Sequence, residues 1–251
     1  MPFIDQTVLI TGGLGGIAAE VAPRFAEQGA NVVVTDLSRD PPTALLAALG
    51  ARTTYFPLDV TSEEAWKAAI ADVVSRFGAL NVLVNIAGIF KPGIPFDDMP
   101  ADVWRSHIDV NLTGTFLGCK HGMRAMKETG GGAIINVSSG LAEIMLSDGA
   151  AYCVSKAAVL ALTRVAAKAG GPYRVRVNAV LPGAIETPML WGNLRPGQDP
   201  KALLDMLVDQ HPIGRIGQPL DVARAMLFLC DPANSFVTGA MLAVDGGQLV
   251  A

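Results

Sequence analysis

A tyrosine and a lysine four positions apart are the side chains in this sequence best suited to moving a proton. Tyr152 and Lys156 lie in a helix-compatible stretch, and a spacing of four places both on one face of a helix. A phenol with a pKa of about 10 is a poor base at neutral pH, but a nearby ammonium group stabilises the phenolate. The pair therefore predicts Tyr152 as a general base for an alcohol, with its pKa lowered by Lys156. Taken alone, the spacing is equally compatible with two side chains on a helix surface.

A glycine-rich segment near the N-terminus could bind the phosphates of a dinucleotide. The segment 11–17 reads TGGLGGI and lies between an apolar run and a helix-compatible stretch. Glycines let a pyrophosphate approach the backbone, and the free N–H groups of a helix N-terminus attract it. Taken alone, such a segment is also typical of a tight connection between a strand and a helix.

An acidic residue after the second apolar run favours one type of dinucleotide. Asp36 stands twenty residues beyond Gly16, where a carboxylate can accept hydrogen bonds from both ribose hydroxyls and repel a 2′-phosphate. Leu37 follows it, and the glycine segment holds no Arg or Lys, so the sequence predicts NAD rather than NADP. Arg39 could reach a 2′-phosphate, although a solvated surface position is the expected one.

The elements that must position these groups alternate along the chain. Apolar runs at 7–11, 31–35, 53–56, 80–84, 133–137, 175–180 and 241–244 are separated by helical patterns at 16–28, 63–77, 101–127, 150–169 and 220–230. Continuous apolar runs are typical of parallel strands covered on both faces. The order predicts an α/β protein: a Rossmann-like, doubly wound parallel sheet of seven strands with helices on both faces. We expect a single domain over 1–251, with a substrate-lid insertion at about 183–218 that contains a short amphipathic piece at 201–208.

The composition excludes several classes of protein. Of the 251 residues, 51% are hydrophobic and only 17% charged, which argues against disorder and coiled coil. A net charge of −4 without a basic cluster argues against nucleic acid as a partner. Three scattered cysteines, and three histidines without metal-ligand spacing, predict a reducing compartment and no metal. The N-terminus does not resemble a signal peptide and no apolar run is long enough to span a bilayer, so we expect a cytoplasmic protein with no membrane partner.

Further short motifs follow one another along the chain. They are Thr11–Ile17, Asp59–Val60, Asn85–Gly88 (NIAG), Asn111, Ser139, Tyr152–Lys156 (YCVSK), and Pro182–Gly183 with Thr187–Met189. In this order, and over nearly all of its length, the chain resembles a member of the short-chain dehydrogenase/reductase family. It departs from the family pattern at two positions: Ala18 replaces a third glycine, and Ile86 replaces the second asparagine of NNAG, which removes a side-chain contact but leaves the backbone turn possible.

The resemblance implies hydride transfer between a carbinol carbon and a nicotinamide, coupled to proton transfer by Tyr152. It implies that Ser139 binds the substrate oxygen, that Lys156 holds the ribose hydroxyls, and that Asn111 anchors a water linked to Lys156. Ser138 is the alternative serine, but neighbouring residues of a strand point to opposite faces. The catalytic residues are thus expected to be Asn111, Ser139, Tyr152 and Lys156. The family resemblance also suggests a homotetramer.

The remaining site residues are expected from the same motifs and the segments around them. Predicted cofactor contacts are Gly12, Leu14, Gly16, Ile17, Asp36, Leu37, Asp59, Val60, Asn85, Ala87, Gly88, Tyr152, Lys156, Pro182, Gly183, Ile185 and Thr187. Predicted substrate contacts are Ser139, Leu141, Glu143, Met145, Tyr152, Met189 and Trp191, with Ile89, Phe90, Ile144 and Leu190 as further walls. Mostly apolar walls predict a small hydrophobic secondary alcohol or ketone as substrate. Glu143 could bind a substrate hydroxyl or face water.

Two other functions share this fold. A protein that senses NAD without turnover has no chemical need for Asn111, Ser139, Tyr152 and Lys156 together. A non-redox lyase is expected to lose the nicotinamide segment and commonly carries Arg in place of Lys156. The sequence therefore favours an NAD(H)-dependent secondary alcohol dehydrogenase or ketone reductase.

Overall fold

A single parallel sheet of seven strands forms the centre of the molecule. The computed structural model describes residues 1–40, 43, 47, 52–194 and 197–250. The strands are β1 (Thr7–Thr11), β2 (Asn31–Asp36), β3 (Thr53–Pro57), β4 (Val82–Asn85), β5 (Gly132–Val137), β6 (Val175–Pro182) and β7 (Met241–Val244). Their order is β3-β2-β1-β4-β5-β6-β7, and every neighbouring pair is parallel. The predicted seven-stranded Rossmann-like fold is confirmed.

Helices cover both faces of the sheet. They are α1 (Gly16–Glu27), α2 (Glu63–Phe77), α3 (Ala101–His107), α4 (Gly114–Glu128), α5 (Leu141–Ile144), α6 (Ala150–Gly170), α7 (Pro188–Trp191), α8 (Pro200–Asp209) and α9 (Pro219–Cys230). Val8 and Ile10 of β1 face a core shared with α1 and α9, whereas Leu9 between them faces a core shared with α2, α4 and α6. Alternation within a fully buried strand explains why β1 reads as a continuous apolar run.

The helix predicted over 101–127 is interrupted in the middle. A π-helical turn, Ile108–Thr113, separates α3 from α4 and contains the buried Asn111. Such a turn inserts one extra residue into the helical repeat and is common at functional sites. Strand ends also differ slightly, since Asp36 belongs to β2 and β6 continues to Pro182.

The predicted lid is tied together at its base. Ile185 and Gly217 form an isolated parallel bridge, and the Gly217 amide donates to the carbonyl of Ala184 over 2.8 Å. Between these ends lie α7 and α8, the second of which contains the predicted amphipathic piece. Residues 195 and 196 of the predicted lid lie outside the described residues.

One helix in the described part of the chain is long and apolar enough to cross a membrane. It is α6 with the turn that follows it, Ala150–Tyr173, and 56% of its most apolar stretch is buried inside the protein. Buried core helices of soluble proteins have the same length and composition, so this helix is weak evidence for a membrane.

A buried arginine of β6 caps the C-terminal end of α9. The Arg176 guanidinium donates to the carbonyls of Leu229 (2.6 Å), Cys230 (3.1 Å) and Asp231 (3.3 Å), and to that of Val237 (3.1 Å). Burial lowers the pKa of Arg176. The last carbonyls of a helix have no intrahelical partner, and a cation there also opposes the negative end of the helix dipole.

We expect Arg176→Met to lower the free energy of unfolding by about 2–4 kcal/mol, because it leaves buried carbonyls without donors. Urea unfolding followed by circular dichroism measures the loss. Arg76→Met is the control: Arg76 forms a 2.8 Å ion pair with Asp72 on the exposed surface of α2, and removing it should cost at most about 1 kcal/mol. Equal losses in the two variants would contradict the capping role.

Candidate active site

The site lies where the sheet reverses its winding direction, between the carboxyl ends of β1 and β4. Thr11 ends β1, and its hydroxyl accepts hydrogen bonds from the amides of Ile86 and Ala87, each over 3.2 Å. The turn after β4 contributes only backbone amides to these two bonds, so they do not depend on the side chain at position 86. The turn therefore survives the replacement of an asparagine by Ile86, as the sequence suggested. Ligands of open α/β sheets bind at such a point.

The glycine segment fits a dinucleotide pyrophosphate. Gly12 has φ +66°, and a Cβ there would lie 2.7 Å from the Cα of Ala87, so a larger residue would collide with the neighbouring turn. Gly15 stands at the N-cap of α1 and has no side chain with which to cap the helix. The first amides of α1 thus remain available to an anion at the positive end of the helix dipole.

The Asp36 carboxylate is held at the edge of this segment. Its Oδ2 accepts the Leu14 amide over 3.0 Å, and its Oδ1 accepts the Leu37 amide over 2.7 Å. These bonds orient a negative charge next to the glycine turn. The side chains of Leu37 and Arg39 are exposed. A carboxylate in this position can accept hydrogen bonds from the ribose hydroxyls of an adenosine.

Tyr152 and Lys156 lie together on α6, as predicted. The Lys156 Nζ is 5.8 Å from the centroid of the Tyr152 ring and donates to the carbonyl of Val137 over 2.8 Å. Burial lowers the pKa of Lys156 to about 8 and raises that of Tyr152 to about 12, and a hydrogen bond with Ser139 opposes the second change. In the protein without cofactor, desolvation of the phenolate outweighs the effect of Ser139; the lowering of the Tyr152 pKa by Lys156 together with a bound nicotinamide ring stays a prediction.

The structure distinguishes the two neighbouring serines. The Ser138 hydroxyl donates to the carbonyl of Lys156 over 2.7 Å, which attaches β5 to α6. The Ser139 hydroxyl instead accepts the Leu141 amide over 3.1 Å, and Ser139 lies close enough to Tyr152 to oppose the rise in the pKa of the phenol. Ser138 is therefore used in joining the strand to the helix, and the binding of a substrate oxygen by Ser139 stays a prediction.

Asn111 holds the loop after β4. Its Oδ1 accepts the Ile89 amide over 2.8 Å, while its Nδ2 donates to the Ile89 carbonyl and to the Ser155 hydroxyl, each over 3.0 Å. Gly88 is required beside it, since a Cβ there would lie 3.1 Å from Asn111 Oδ1 and 3.3 Å from Lys156 Nζ. The predicted role of Asn111 in anchoring a water stays a prediction.

Three other predicted cofactor residues, Asn85, Asp59 and Val60, differ in burial and in the hydrogen bonds that they form. The Asn85 side chain is buried and donates to Asn136 Oδ1 over 2.9 Å, so its amide supports the sheet rather than the cleft. Asp59 is exposed and accepts the amide and hydroxyl of Thr61 at the start of α2. Val60 is buried and packs beside Thr11 and Ala87.

The lid segment closes over the glycine turn. A Cβ on Gly16 would lie 2.9 Å from both Thr187 and Pro188, so these parts of the chain are in direct contact. Pro182 ends β6, and its carbonyl accepts the Gly140 amide over 2.8 Å. Ile185 is buried, and its carbonyl accepts the Thr187 hydroxyl over 3.4 Å.

A histidine for which the sequence analysis predicts no role holds the base of the lid. His211 is buried, and its Nε2 accepts the Ala184 amide over 3.1 Å. A Cβ on Gly183 would lie 2.7 Å from the same nitrogen, which explains the glycine. A cavity of about 170 Å³ adjoins this histidine, at the end of β7 and away from Tyr152. No spacing in the sequence indicates these contacts, because the partners are 27 residues apart.

Apolar side chains are exposed on several predicted substrate segments. Ile144 ends α5, Met145 and Leu146 follow it, and Met189 lies on the lid; all four are exposed. Leu141 and Trp191 are partly buried, and Glu143 is exposed. The Phe90 ring packs directly on Tyr152, with 4.5 Å between the two ring centroids. The predicted substrate contacts stay a prediction.

A Rossmann sheet with an anion-binding glycine turn and a tyrosine-lysine-serine set defines a dinucleotide-dependent oxidoreductase. Residues 12–248 match a family model described as enoyl-(acyl carrier protein) reductase. Trans-4-hydroxycyclohexanecarboxylate dehydrogenase of Sinomonas cyclohexanicum is 40% identical, over 97% of this chain and 93% of its own. A 2,5-dichloro-2,5-cyclohexadiene-1,4-diol dehydrogenase of Sphingobium indicum is 39% identical, over 96% of each. The chain belongs to the short-chain dehydrogenase/reductase family.

Solved structures agree with this assignment. Levodione reductase superposes with a TM-score of 0.94 at 32% identity, over 99% of each chain. A 3-ketoacyl-(acyl-carrier-protein) reductase from Brucella melitensis, complexed with NADH, superposes with a TM-score of 0.90 at 31% identity, over 98% of this chain and 99% of the other. The protein is an oxidoreductase that interconverts secondary alcohols and ketones.

Proposed function

We propose that the protein uses NAD to oxidise a secondary hydroxyl group on a hydrophobic ring, and that it catalyses the reverse reaction when the ketone is in excess. The observation that carries this proposal is the placement of three side chains: Tyr152 and Lys156 share one face of α6, with the Lys156 Nζ 5.8 Å from the centroid of the tyrosine ring, and Ser139 lies close enough to Tyr152 to affect the pKa of its phenol. This arrangement serves proton transfer to or from a substrate oxygen.

In this mechanism Ser139 and Tyr152 bind the substrate oxygen together. Tyr152 accepts the hydroxyl proton during oxidation, and Ser139 stabilises the charge that develops on the oxygen. Lys156 binds the ribose hydroxyls with the Nζ that now bonds Val137, and its charge stabilises the tyrosinate. When bound, the nicotinamide ring supplies the hydride acceptor and a positive charge. Asn111 holds the loop that borders the site.

Asp36 supports NAD as the cofactor. Its carboxylate is fixed by Leu14 and Leu37, so it cannot turn away from a 2′-phosphate without losing both hydrogen bonds. A fixed negative charge facing a phosphate costs several kcal/mol. Arg39 is exposed on the loop beyond β2 and does not share these bonds.

A ring substrate agrees with the apolar side chains of the predicted substrate segments and with the substrates in the names of two relatives. Dehydrogenases for hydroxycyclohexanecarboxylate and for a chlorinated cyclohexadienediol both act on ring hydroxyls. In this chain Ile144 at the end of α5, Met145 directly after it and Met189 on the lid are exposed and offer apolar contacts to such a ring.

We further propose one cytoplasmic domain that assembles as a homotetramer. Phe116 on α4 and Val154 and Val165 on α6 expose large apolar side chains along two long neighbouring helices. An exposed apolar surface of this kind is typical of contacts between subunits. Sedimentation velocity of the purified protein measures its oligomeric state.

The cofactor prediction is tested by steady-state kinetics at 340 nm with cyclohexanol and 4-hydroxycyclohexanecarboxylate as substrates. We expect kcat/KM for NAD to exceed that for NADP by about 100-fold, because of the charge repulsion at Asp36. Asp36→Asn keeps the shape of the side chain but removes the charge, so the preference should fall to about tenfold or less.

The control is Asp72→Asn on the exposed surface of α2, which should leave the preference unchanged. A wild-type enzyme that prefers NADPH would contradict the assigned role of Asp36. Turnover of linear secondary alcohols such as 2-butanol without turnover of any cyclic one would contradict the ring substrate, and absence of turnover with both kinds would contradict the proposed function.

A further inference from the structure

One aromatic side chain packs directly against the proposed base. The Phe90 and Tyr152 ring centroids are 4.5 Å apart, with 53° between the ring planes. A tilted pair at this separation is attractive beyond the apolar area that it buries. Phe90 has no group that could take or give a proton, so any effect it has on the reaction must pass through Tyr152 or the substrate.

Hydrogen bonds hold the loop after β4 on both sides of Phe90. Before Phe90, the amide and carbonyl of Ile89 are both bound by the Asn111 side chain, over 2.8 and 3.0 Å. After it, the Lys91 amide donates to His107 Nε2 over 3.2 Å. Further along, the amides of Gly93 and Ile94 donate to the carbonyl of Asp148 over 2.8 and 3.1 Å.

The histidine in this set is a fixed anchor. His107 is fully buried at the end of α3, and its Nδ1 lies 2.8 Å from the carbonyl of Val103. A carbonyl can only accept, so Nδ1 carries the proton and Nε2 is left as the acceptor for Lys91. Both ring nitrogens are thereby used, and the loop is joined to a buried helix end.

The segment after α5 is tied to the same frame. The Leu146 amide donates to the Cys153 sulfur over 3.3 Å, next to Tyr152 on α6. A Cβ on Gly149 would lie 3.4 Å from the Leu146 Cβ and 3.8 Å from the Phe90 ring. The Phe90 side chain, on the loop after β4, therefore contacts Tyr152 and lies close to the segment after α5.

We propose that Phe90 is a positioning residue for Tyr152: its ring, held by the fastened loop, limits the tyrosine to the orientation in which the hydroxyl meets Ser139, and keeps water from the phenol. The kinetic part of this proposal rests on the proposed function, whereas the structural part does not. A misplacement of about 1 Å at a reacting group can cost about 100-fold in rate, so a contact that restricts a catalytic ring has a large effect.

If Phe90 keeps water from the phenol, replacing it must change the pKa of Tyr152. A purely structural role would leave that pKa unchanged. Burial raises the pKa of Tyr152, so removing an apolar cover should lower it. Charged or titratable side chains on the elements around the tyrosine are Lys156 and Cys153 on α6, Lys91 on the loop after β4, and Glu143 and Asp148 around α5. Replacing Phe90 changes none of these, so a lower pKa would report on solvation alone.

The first experiment needs no substrate. The chain has three tyrosines, so the absorbance at 295 nm of a protein minus that of its Tyr152→Phe counterpart isolates the tyrosinate of Tyr152. At pH 10.5 we expect little tyrosinate from Tyr152 in the wild type and a clear signal in Phe90→Leu. The midpoint in Phe90→Leu should move down by about one pH unit. Phe90→Tyr cannot be used here, because it adds a fourth phenol.

The second experiment measures turnover of a cyclic alcohol with NAD. We expect Phe90→Leu to lower kcat at least tenfold while KM for NAD changes less than twofold, and Phe90→Trp, which keeps an aromatic ring, to recover most of kcat. Phe96→Leu is the matched control, since Phe96 is exposed farther along the same loop. It should resemble the wild type in both experiments.

An unchanged Tyr152 titration in a folded Phe90→Leu protein would overturn the proposal, whatever the kinetics. A loss of kcat that Phe90→Trp does not recover would also overturn it. If the wild type oxidises no secondary alcohol, the proposed function fails, and the titration still decides the role of Phe90.

Discussion

Tyr152→Phe is expected to lower kcat for alcohol oxidation by about 10³-fold while the Kd for NADH changes less than twofold. Removing the hydroxyl removes the group that accepts the substrate proton, and general acid–base catalysis of this kind contributes about 10²–10⁴-fold. The ring remains, so its packing against Phe90 should persist. Absorbance at 340 nm measures turnover, and the fluorescence of bound NADH measures affinity.

Tyr173→Phe provides the control for this prediction. Tyr173 is half-exposed beyond the end of α6, where its ring contacts Lys127 rather than the site. Its loss should leave kcat within about twofold of the wild type, as for most surface substitutions. Turnover in Tyr152→Phe above a tenth of the wild-type rate would remove the tyrosine from the proposed mechanism.

Lys156→Met is expected to give the second-largest effect, a fall in kcat of about 10²-fold at neutral pH, with a higher KM for NAD. The ammonium group stabilises the tyrosinate, so without it the pKa of Tyr152 rises further and less of the base is available. The pH profile of alcohol oxidation should therefore move to more alkaline pH, and part of the lost rate should return there. Steady-state kinetics between pH 6 and 10 with NAD in excess measure both changes.

The same substitution should stabilise the protein at neutral pH. Burial lowers the pKa of Lys156 from 10.5 to about 8 in the folded state. Below pH 8 the lysine is charged in both states, so the folded protein bears the full cost of burying it. Between pH 8 and 10.5 only the unfolded state keeps the proton, and the wild type gains stability as the pH rises. The advantage of Lys156→Met should thus shrink across this range.

Urea unfolding at pH 7 and pH 10 measures that advantage, with Lys168→Met, an exposed position on the same helix, as the control. An advantage for Lys156→Met that grows with pH would contradict the assigned cause. We therefore expect Lys156→Met to be more stable but slower than the wild type, because the buried charge of Lys156 serves catalysis and lowers stability.

The sequence by itself was sufficient for the fold and for most of the candidate site. Short continuous apolar runs that alternate with helical patterns are typical of a parallel sheet covered by helices on both faces. Local geometry predicts where several site residues lie. The glycine turn and Asp36 each follow the end of a strand, and a spacing of four places Tyr152 and Lys156 on one face of a helix. Local backbone geometry is the same in any protein, so such features can be derived without a structure.

Only the tertiary structure decided how these groups behave. The direction of the pKa change at Tyr152 in the protein without cofactor depends on burial, whereas the sequence reasoning considered only the charges of Lys156 and of a bound nicotinamide ring. The contact of Phe90 with Tyr152 joins residues 62 positions apart, and the π-helical turn at Asn111 interrupts a stretch whose residue pattern indicates an ordinary helix. Burial and contacts across loops depend on which segments pack together, and no local pattern in the chain specifies that.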